Sequence, residues 1–376
     1  MKKLIAMLLA LALLCCGALT AFAEEEATFT IGFNNYRVGA YSLDILQKNF
    51  EYACAAMGVD VMVVNDEAKI DNSPTNVDNM IAAGVDGIVF FGLNDNVMVS
   101  VAQRCQNAGI PFVFYDHMPS DQVVEMMKNY SCYLGCAATM DESTGRVAGE
   151  YAASIGATKA VVVTGENSDP SHSARTNGFT EAFEAAGGEV LGVGWGNPNL
   201  TDSLPRANDL LTAHPDADFI YGSNGDCGLA GKEALASHPD VTATVYATDL
   251  DPDVLTSLED GTIAAASGAH WINVYFAAAL MVNHLQGNTL RNEDGTAPRL
   301  VVPVITLPNN YIDLYNKLWI ESYPYTEAEL AAFVGPDVTV ETLETELTNY
   351  TLDNRIAALV EQGVITQEEV DASLAA

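Results

Sequence analysis

The strongest constraint in this chain is a regular alternation of short apolar runs with helix-period segments, each closed by Gly or Pro, which restarts once. Residues 28–33, 59–64, 87–91 and 111–115 read as strands; 43–57, 76–83 and 97–108 read as helices that stop at Gly58, Gly84 and Gly109. Strands bounded by Gly or Pro and separated by helices of this length imply βαβ units on a parallel sheet. From residue 131 the alternation begins again. Strands are expected at 131–135, 160–164, 190–194, 219–221 and 245–247, with helices at 145–154, 176–186, 204–213 and 229–236. A long apolar helix over 273–285 and a strand over 300–306 come after them. No Gly/Ser/Pro linker separates the halves, so the expectation is two doubly wound α/β lobes on parallel sheets, closely packed, with connections running between them. From about residue 311 the chain is acidic and helix-periodic without a strong strand, which predicts a helical C-terminal appendage.

The amino end carries an address. Lys2 and Lys3 precede an apolar run over 4–14, and Ala21-Phe22-Ala23 stands just before three glutamates. A positive start, a short apolar stretch and a small-x-small triplet make a secretory signal peptide. The run is too short for a bilayer span, which needs about 20 residues. Cleavage is expected after Ala23, giving a mature chain that begins at Glu24. Cys15-Cys16 would suit a lipid anchor, but Leu14 and Cys15 stand where such a signal wants a small residue. The expected partition is therefore 1–23 signal peptide, 27–137 with 270–302 as the first lobe, 138–269 with 303–318 as the second, and 319–376 as the tail.

Composition removes several functions. Fifty acids against 16 bases leave a formal charge of −34, a surface that repels phosphate backbones, so no nucleic-acid partner is expected. The five cysteines beyond the signal, Cys54, Cys105, Cys132, Cys136 and Cys227, are odd in number and fit no complete disulfide framework. Cys132 and Cys136 in one strand would lie about 13 Å apart, beyond disulfide reach. No Cys/His group has zinc spacing, 222–225 lacks the Lys of a phosphate loop, and nothing resembles a nucleophile elbow. No cofactor, no metal and no catalytic residue is expected.

Ligands of open α/β sheets bind beyond the carboxyl ends of the strands. Polar residues collect there: Asn34, Asn35 and Tyr36 after the first strand, Asp116 and His117 after the fourth, Asn224 after 219–221, and Asp249 after 245–247. Arg175 and Trp195 are expected in loops of the second lobe. Carboxylates accept hydroxyl protons, arginine donates a planar fork, amides do both, and aromatic faces cover C–H surfaces, which suits a sugar. Each residue also has a plainer role: Asp116 and Asp249 as turn or cap residues, Arg175 as support for a helix start, Trp195 as core.

Six segments, in order, carry a resemblance. They are Ala82-Ala83-Gly84-Val85-Asp86-Gly87-Ile88, Asn107-Ala108-Gly109-Ile110-Pro111, Ala148-Gly149-Glu150-Tyr151, Arg175-Thr176-Asn177-Gly178-Phe179, Leu210-Leu211-Thr212-Ala213-His214-Pro215-Asp216 and Thr248-Asp249-Leu250-Asp251-Pro252-Asp253. Over roughly 28–306 the sequence resembles the periplasmic ribose-binding protein family, the sugar-binding components of ABC importers. The resemblance implies a Venus-flytrap fold, two lobes joined at a hinge by three crossings near Ala138, Gly268 and Val302, with a ligand in the cleft. It matches Asp116, Arg175, Asn224 and Asp249 to ligand-binding positions of that family. It also exposes departures: His117 stands where the family often has Arg, the stretch from Arg37 through Tyr41 to Ser42 replaces an Asn-Pro-Phe-Phe segment, and a late glutamine falls near Ala269-His270. The expectation for function is a non-enzymatic, monomeric protein that takes a monosaccharide or polyol and delivers it to an ABC transporter permease. Presentation of ligand to a chemoreceptor or histidine kinase is the alternative.

Overall fold

A computed structural model describes residues 29–375; the expected signal peptide lies outside these residues. Two six-stranded sheets are present. The first is built from β1 (Thr30–Asn35), β2 (Asp60–Asn65), β3 (Gly87–Phe91), β4 (Phe112–His117), β5 (Tyr133–Thr139) and β11 (Arg299–Val301), in the order β11-β5-β4-β3-β1-β2. The second uses β6 (Lys159–Thr164), β7 (Glu189–Trp195), β8 (Phe219–Gly222), β9 (Thr244–Thr248), β10 (Ala265–Gly268) and β12 (Ile305–Pro308), in the order β12-β10-β9-β8-β6-β7. The two orders are the same doubly wound pattern. They differ at one edge: β11 joins β5 in parallel, whereas β12 joins β10 antiparallel.

The strands that read as unbroken apolar runs sit inside. All five residues of β3 are buried, as are Phe112, Val113, Phe114 and Tyr115 of β4. This is what a parallel sheet covered on both faces demands. The cover on the first sheet comes from α1 (Tyr41–Ala56), α2 (Asn72–Ala83), α3 (Asp95–Ala108), α4 (Asp121–Met127) and the largely apolar α10 (Asn273–Leu285). The second is flanked by α5 (Asp141–Ser154), α6 (Pro170–Ala185), α7 (Leu200–Ala213), α8 (Gly225–Ala236) and α9 (Pro252–Glu259). Gly84 and Gly109 end α2 and α3 in the left-handed conformation, at φ 81° and 72°, where a side chain would be strained.

Several boundaries depart from the sequence expectation. The strand expected at 131–135 is β5, shifted to Tyr133–Thr139, so Cys132 precedes it. Helix α6 begins at Pro170, six residues earlier than the apolar period suggests. Asp169 caps it through Ser171 N and His172 N, and Pro170 occupies its first turn. Arg175 therefore lies within a helix and not in a loop. Trp195 is the last residue of β7, again not a loop residue.

The chain passes between the sheets three times, after β5, after β10 and between β11 and β12. Beyond β12 comes a short helical run, α11 (Ile312–Tyr315) continuing through residues 316–320, then α12 (Glu327–Ala331), α13 (Val340–Thr348), α14 (Leu352–Glu361) and α15 (Gln367–Leu374). These helices are tied to both halves of the body. Asn283 and Asn288 of the first half bond the backbone of Phe333, Gly335 and Val338. Lys48 Nζ donates to Ile320 O at 2.9 Å. On the other side, Tyr311 Oη donates to Asp353 at 3.1 Å. Between them Tyr350 Oη, which accepts from Trp319 Nε1, donates to Ala269 O in the second crossing at 2.7 Å. Arg355, 4% exposed, pairs with Glu329 at 2.9 Å and lies over the Tyr325 ring.

Candidate functional site

Helices α5 and α6 set the geometry of the cleft. They touch through glycines: a Cβ on Gly145 would collide with Arg175 O, and one on Gly178 would collide with Glu142 O. Only missing side chains permit that approach. Its effect is to bring Asp141, the first residue of α5, against Arg175 in α6. Arg175 Nε donates to Asp141 Oδ1 at 2.8 Å, one terminal nitrogen donates to Ser223 O at 2.9 Å, and the same nitrogen lies 3.7 Å from Asp249 Oδ2. Burial works against the Arg175 charge, but Asp249 and Asp141 outweigh it and hold the guanidinium above its ordinary range. Burial also pushes Asp141 up, and Arg175 with Ser171 more than compensates, so this carboxyl titrates below its usual range.

Behind Arg175 lies a buried polar chain. His172 Nδ1 meets Ser223 Oγ at 2.8 Å, and Ser223 Oγ donates to Thr164 Oγ1 at 2.8 Å. Burial, followed by Arg175, lowers the His172 pKa. The Ser–His pair is spatially close, but Ser223 is 0% exposed and its proton is directed to Thr164, so it is arranged as support and not as a nucleophile.

Two aspartates face the cavity from equivalent places, Asp116 at the carboxyl end of β4 and Asp249 just after β9. Both adopt the left-handed backbone, φ 75° and 73°, which Asp tolerates better than most residues. Asn273 Nδ2 donates to Asp116 Oδ1 at 3.0 Å, and His117 Nε2 lies 3.6 Å from Asp116 Oδ2. Asp116, His117, Asp141, Arg175, Asp249 and His270 together line a cavity of about 30 Å³. The lobes thus stand close, and a solute of sugar size enters only if they part.

Several buried polar atoms here have no hydrogen-bond partner among the described residues: Thr139 Oγ1 and His270 Nδ1 in the cavity wall, Asn273 Oδ1 beside Asp116, and both amide atoms of Asn34 near the end of β1. Buried groups of this kind are normally satisfied. Burial lowers the His270 pKa, against the opposing pull of Asp116 and Asp249. Aromatic rings flank the polar set. Tyr36 stacks on Phe91, whose edge meets His117 at 5.2 Å; Tyr41 packs edge-on to Trp271 at 5.8 Å, next to His270.

Of the residues singled out from the sequence, the structure brings Asp116, His117, Arg175, Asp249 and His270 round one cavity. Tyr36 and Tyr41 stand in the aromatic layer beside it. Asn35, Asn224 and Trp195 are not in the cavity wall. The Asn35 amide is committed to Gln47 and to Arg37 N. Asn224 caps α8 through Cys227 N and donates to Pro198 O, the plainer role of an Asn ahead of a helix. Trp195 closes the edge strand β7, paired to Thr164. Sequence reasoning missed Asp141, Thr139, Thr144 and Thr248 of the wall. The signal for Asp141 was present in Gly145, Gly149 and Gly178, the small-residue stripe that draws its helix onto the one bearing Arg175.

A family model described as periplasmic binding protein domain matches residues 31–289. The D-ribose/D-allose-binding protein of Pseudomonas aeruginosa is 25% identical over 251 residues, 65% of this chain and 77% of that protein. The ABC transporter periplasmic-binding protein YphF of Escherichia coli is 26% identical over 321 residues, 82% of this chain and 92% of its own length. Among solved structures, the arabinose-binding protein AraP from Geobacillus stearothermophilus superposes with a TM-score of 0.68 at 20% identity, covering 76% of this chain and 99% of that one.

Proposed function

The chain belongs to the periplasmic binding protein family, and from that premise we propose that it captures one monosaccharide or related polyol between its lobes and delivers it to an ABC permease. The observation that carries this reading is the set of unpartnered buried polar atoms facing two aspartates and a charge-locked arginine. Hydroxyl groups both donate and accept, so a polyol can satisfy Thr139 and His270 in the cavity wall while Asp116 and Asp249 accept its hydroxyl hydrogen bonds. The flanking rings of Tyr36, Phe91, Tyr41 and Trp271 suit the C–H faces of a pyranose or furanose. Relatives that are named for ribose, allose and arabinose binding support the ligand class. In this reading the protein binds without turnover and works as a monomer outside the cytoplasm.

Titration against a panel of aldoses, ketoses, polyols and nucleosides, read by melting temperature, tests it. A ligand at 100 times its dissociation constant adds about 2.7 kcal/mol of stability; a flat response across the panel ends the sugar reading. For export, mass spectrometry is expected to find a mature chain beginning at Glu24 without lipid. An acylated cysteine at Cys15 or Cys16 would reverse that part.

A further inference from the structure

Three of the chain's bases line one cavity far from the cleft, and one of them, Arg291, is in no ion pair among the described residues. A cavity of about 460 Å³ opens at the amino ends of β5 and β11, between α4 and the loop that leads into β11. Its size is that of a small-molecule pocket. Thr139, the last residue of β5, lines the cleft, and Tyr133, the first, lines this cavity. At the rise of a strand the two sites are about 20 Å apart.

The chain has 16 bases against 50 acids, yet Lys128, Arg291 and Arg299 all line this one cavity, with a single acid, Glu344. Two of the bases are spoken for: Lys128 pairs with Glu125, and Arg299 with Asp121 and Pro119 O. Arg291 has no ion pair and no hydrogen bond among the described residues, and its buried Nη1 is unpartnered. Beside it Tyr133, 3% exposed, holds a buried hydroxyl that is also unpartnered. The Cys136 thiol stands close by but directs its proton to Met118 Sδ at 3.2 Å. Burial, above all, keeps the Tyr133 phenol well above its ordinary range, so it remains a donor. Arginine keeps its charge even when buried. Val124, Met127, Tyr130 and Ala297 give the cavity an apolar side, and Asn129, Ser131, Asn292 and Thr296 make up the neutral polar remainder of the wall.

We propose that this cavity is a second ligand site, independent of the cleft, for a small monocarboxylate with an aromatic or apolar body. The two unpartnered donors among its lining residues, Arg291 Nη1 and Tyr133 Oη, answer in number the two oxygens of one carboxylate. A phosphate dianion asks for more donors than these. Glu344 and the overall negative field weigh against any ligand of higher charge. The body of the ligand lies against Val124, Met127 and Tyr130.

Calorimetric titration of the mature full-length protein with benzoate tests the assignment, with benzamide and inorganic phosphate as contrasting probes. One benzoate per chain is expected at millimolar concentration, with neither contrast bound. Arg291→Gln should weaken benzoate by about tenfold or more, the scale of a lost hydrogen bond to charge. Tyr133→Phe, which removes one oxygen from a buried ring, should weaken it several-fold. Asp116→Asn, in the cleft, should leave it unchanged. Absence of benzoate binding, equal binding of benzamide, preference for phosphate, or an unaffected Arg291→Gln variant would each overturn the site. Loss of benzoate binding in Asp116→Asn would move the ligand to the cleft and overturn its independence.

Discussion

The two halves of the cleft are built on the same strand order and place an aspartate at the same point, yet they treat it differently. In the first, Asp116 meets a neutral amide from Asn273 and an imidazole, with aromatic rings behind. In the second, Asp249 faces a guanidinium that is itself anchored by Asp141 and Ser223 O. One face is a loosely committed set of acceptors; the other is a charge network fixed by two helices in glycine-mediated contact. A shared strand order therefore does not imply identical energetics. Losing a charge from the second face should disturb the fold, and losing one from the first should disturb binding alone.

The largest expected effect is that of Arg175→Ala. It leaves Asp141 and Asp249 partly buried without their cation, and breaking such a pair costs about 3 kcal/mol. Urea unfolding without ligand should register that loss; a variant as stable as the parent would place the second face on a par with the first. Next comes Gly145→Ala, whose new methyl meets backbone at Arg175 O. Overpacking of this kind costs about 2 kcal/mol, and the displaced helix should weaken sugar binding as well. Unchanged stability and affinity in that variant would remove the glycine contact from the explanation.

The third effect depends on pH. Burial first, then Asp249, Asp226 and Asp253, raise the Asp251 carboxyl to about 6. A carboxyl with a raised folded pKa binds its proton more tightly when folded. Its contribution is present at pH below the unfolded value near 4 and is lost as pH rises through about 6. The shift corresponds to about 3 kcal/mol at most, reduced by solvent screening to about 1–2 kcal/mol. Asp251→Asn should stabilise the protein by that amount at pH 7 and flatten its stability profile between pH 4 and 6; an unchanged profile would show that the acidic cluster carries no such cost. The smallest effect on stability is expected for Asp116→Asn. Asn accepts the left-handed backbone, so stability should move by less than about 1 kcal/mol, while ligand affinity falls by about 2 kcal/mol with a charged hydrogen bond. A larger loss of stability than of affinity would erase the contrast between the faces.

The sequence made the two sheets legible because parallel strands buried on both faces leave continuous apolar runs, and left-handed glycines punctuate the helices between them. Asp116 and Asp249 were readable for the same reason, as polar residues at the ends of such runs. Arg175 was visible as a residue but not in its setting. The apolar period of α6 is weak near its start, and the boundary is set by the Asp169-Pro170 cap. Asp141 was missed because an acid in the first turn of a helix is common, and its meaning depends on a tertiary contact between Gly145 and Gly178. Asn224 was legible as a residue but its local role was not: an Asn three residues ahead of a helical amide can cap the helix, and here both ends of its amide bond the backbone.

Ala269 sits in the second crossing at φ 60°, and its carbonyl is held by Tyr350, 81 residues later. A chain made from its amino end has synthesised every strand of both sheets by residue 308, but it lacks the donor for that carbonyl until residue 350 has emerged. For the intervening stretch of synthesis the lobes can assemble while the strained link between them remains unlatched. The order of the gene thus separates two events that the finished molecule presents as one: first the lobes, then the tension of the joint.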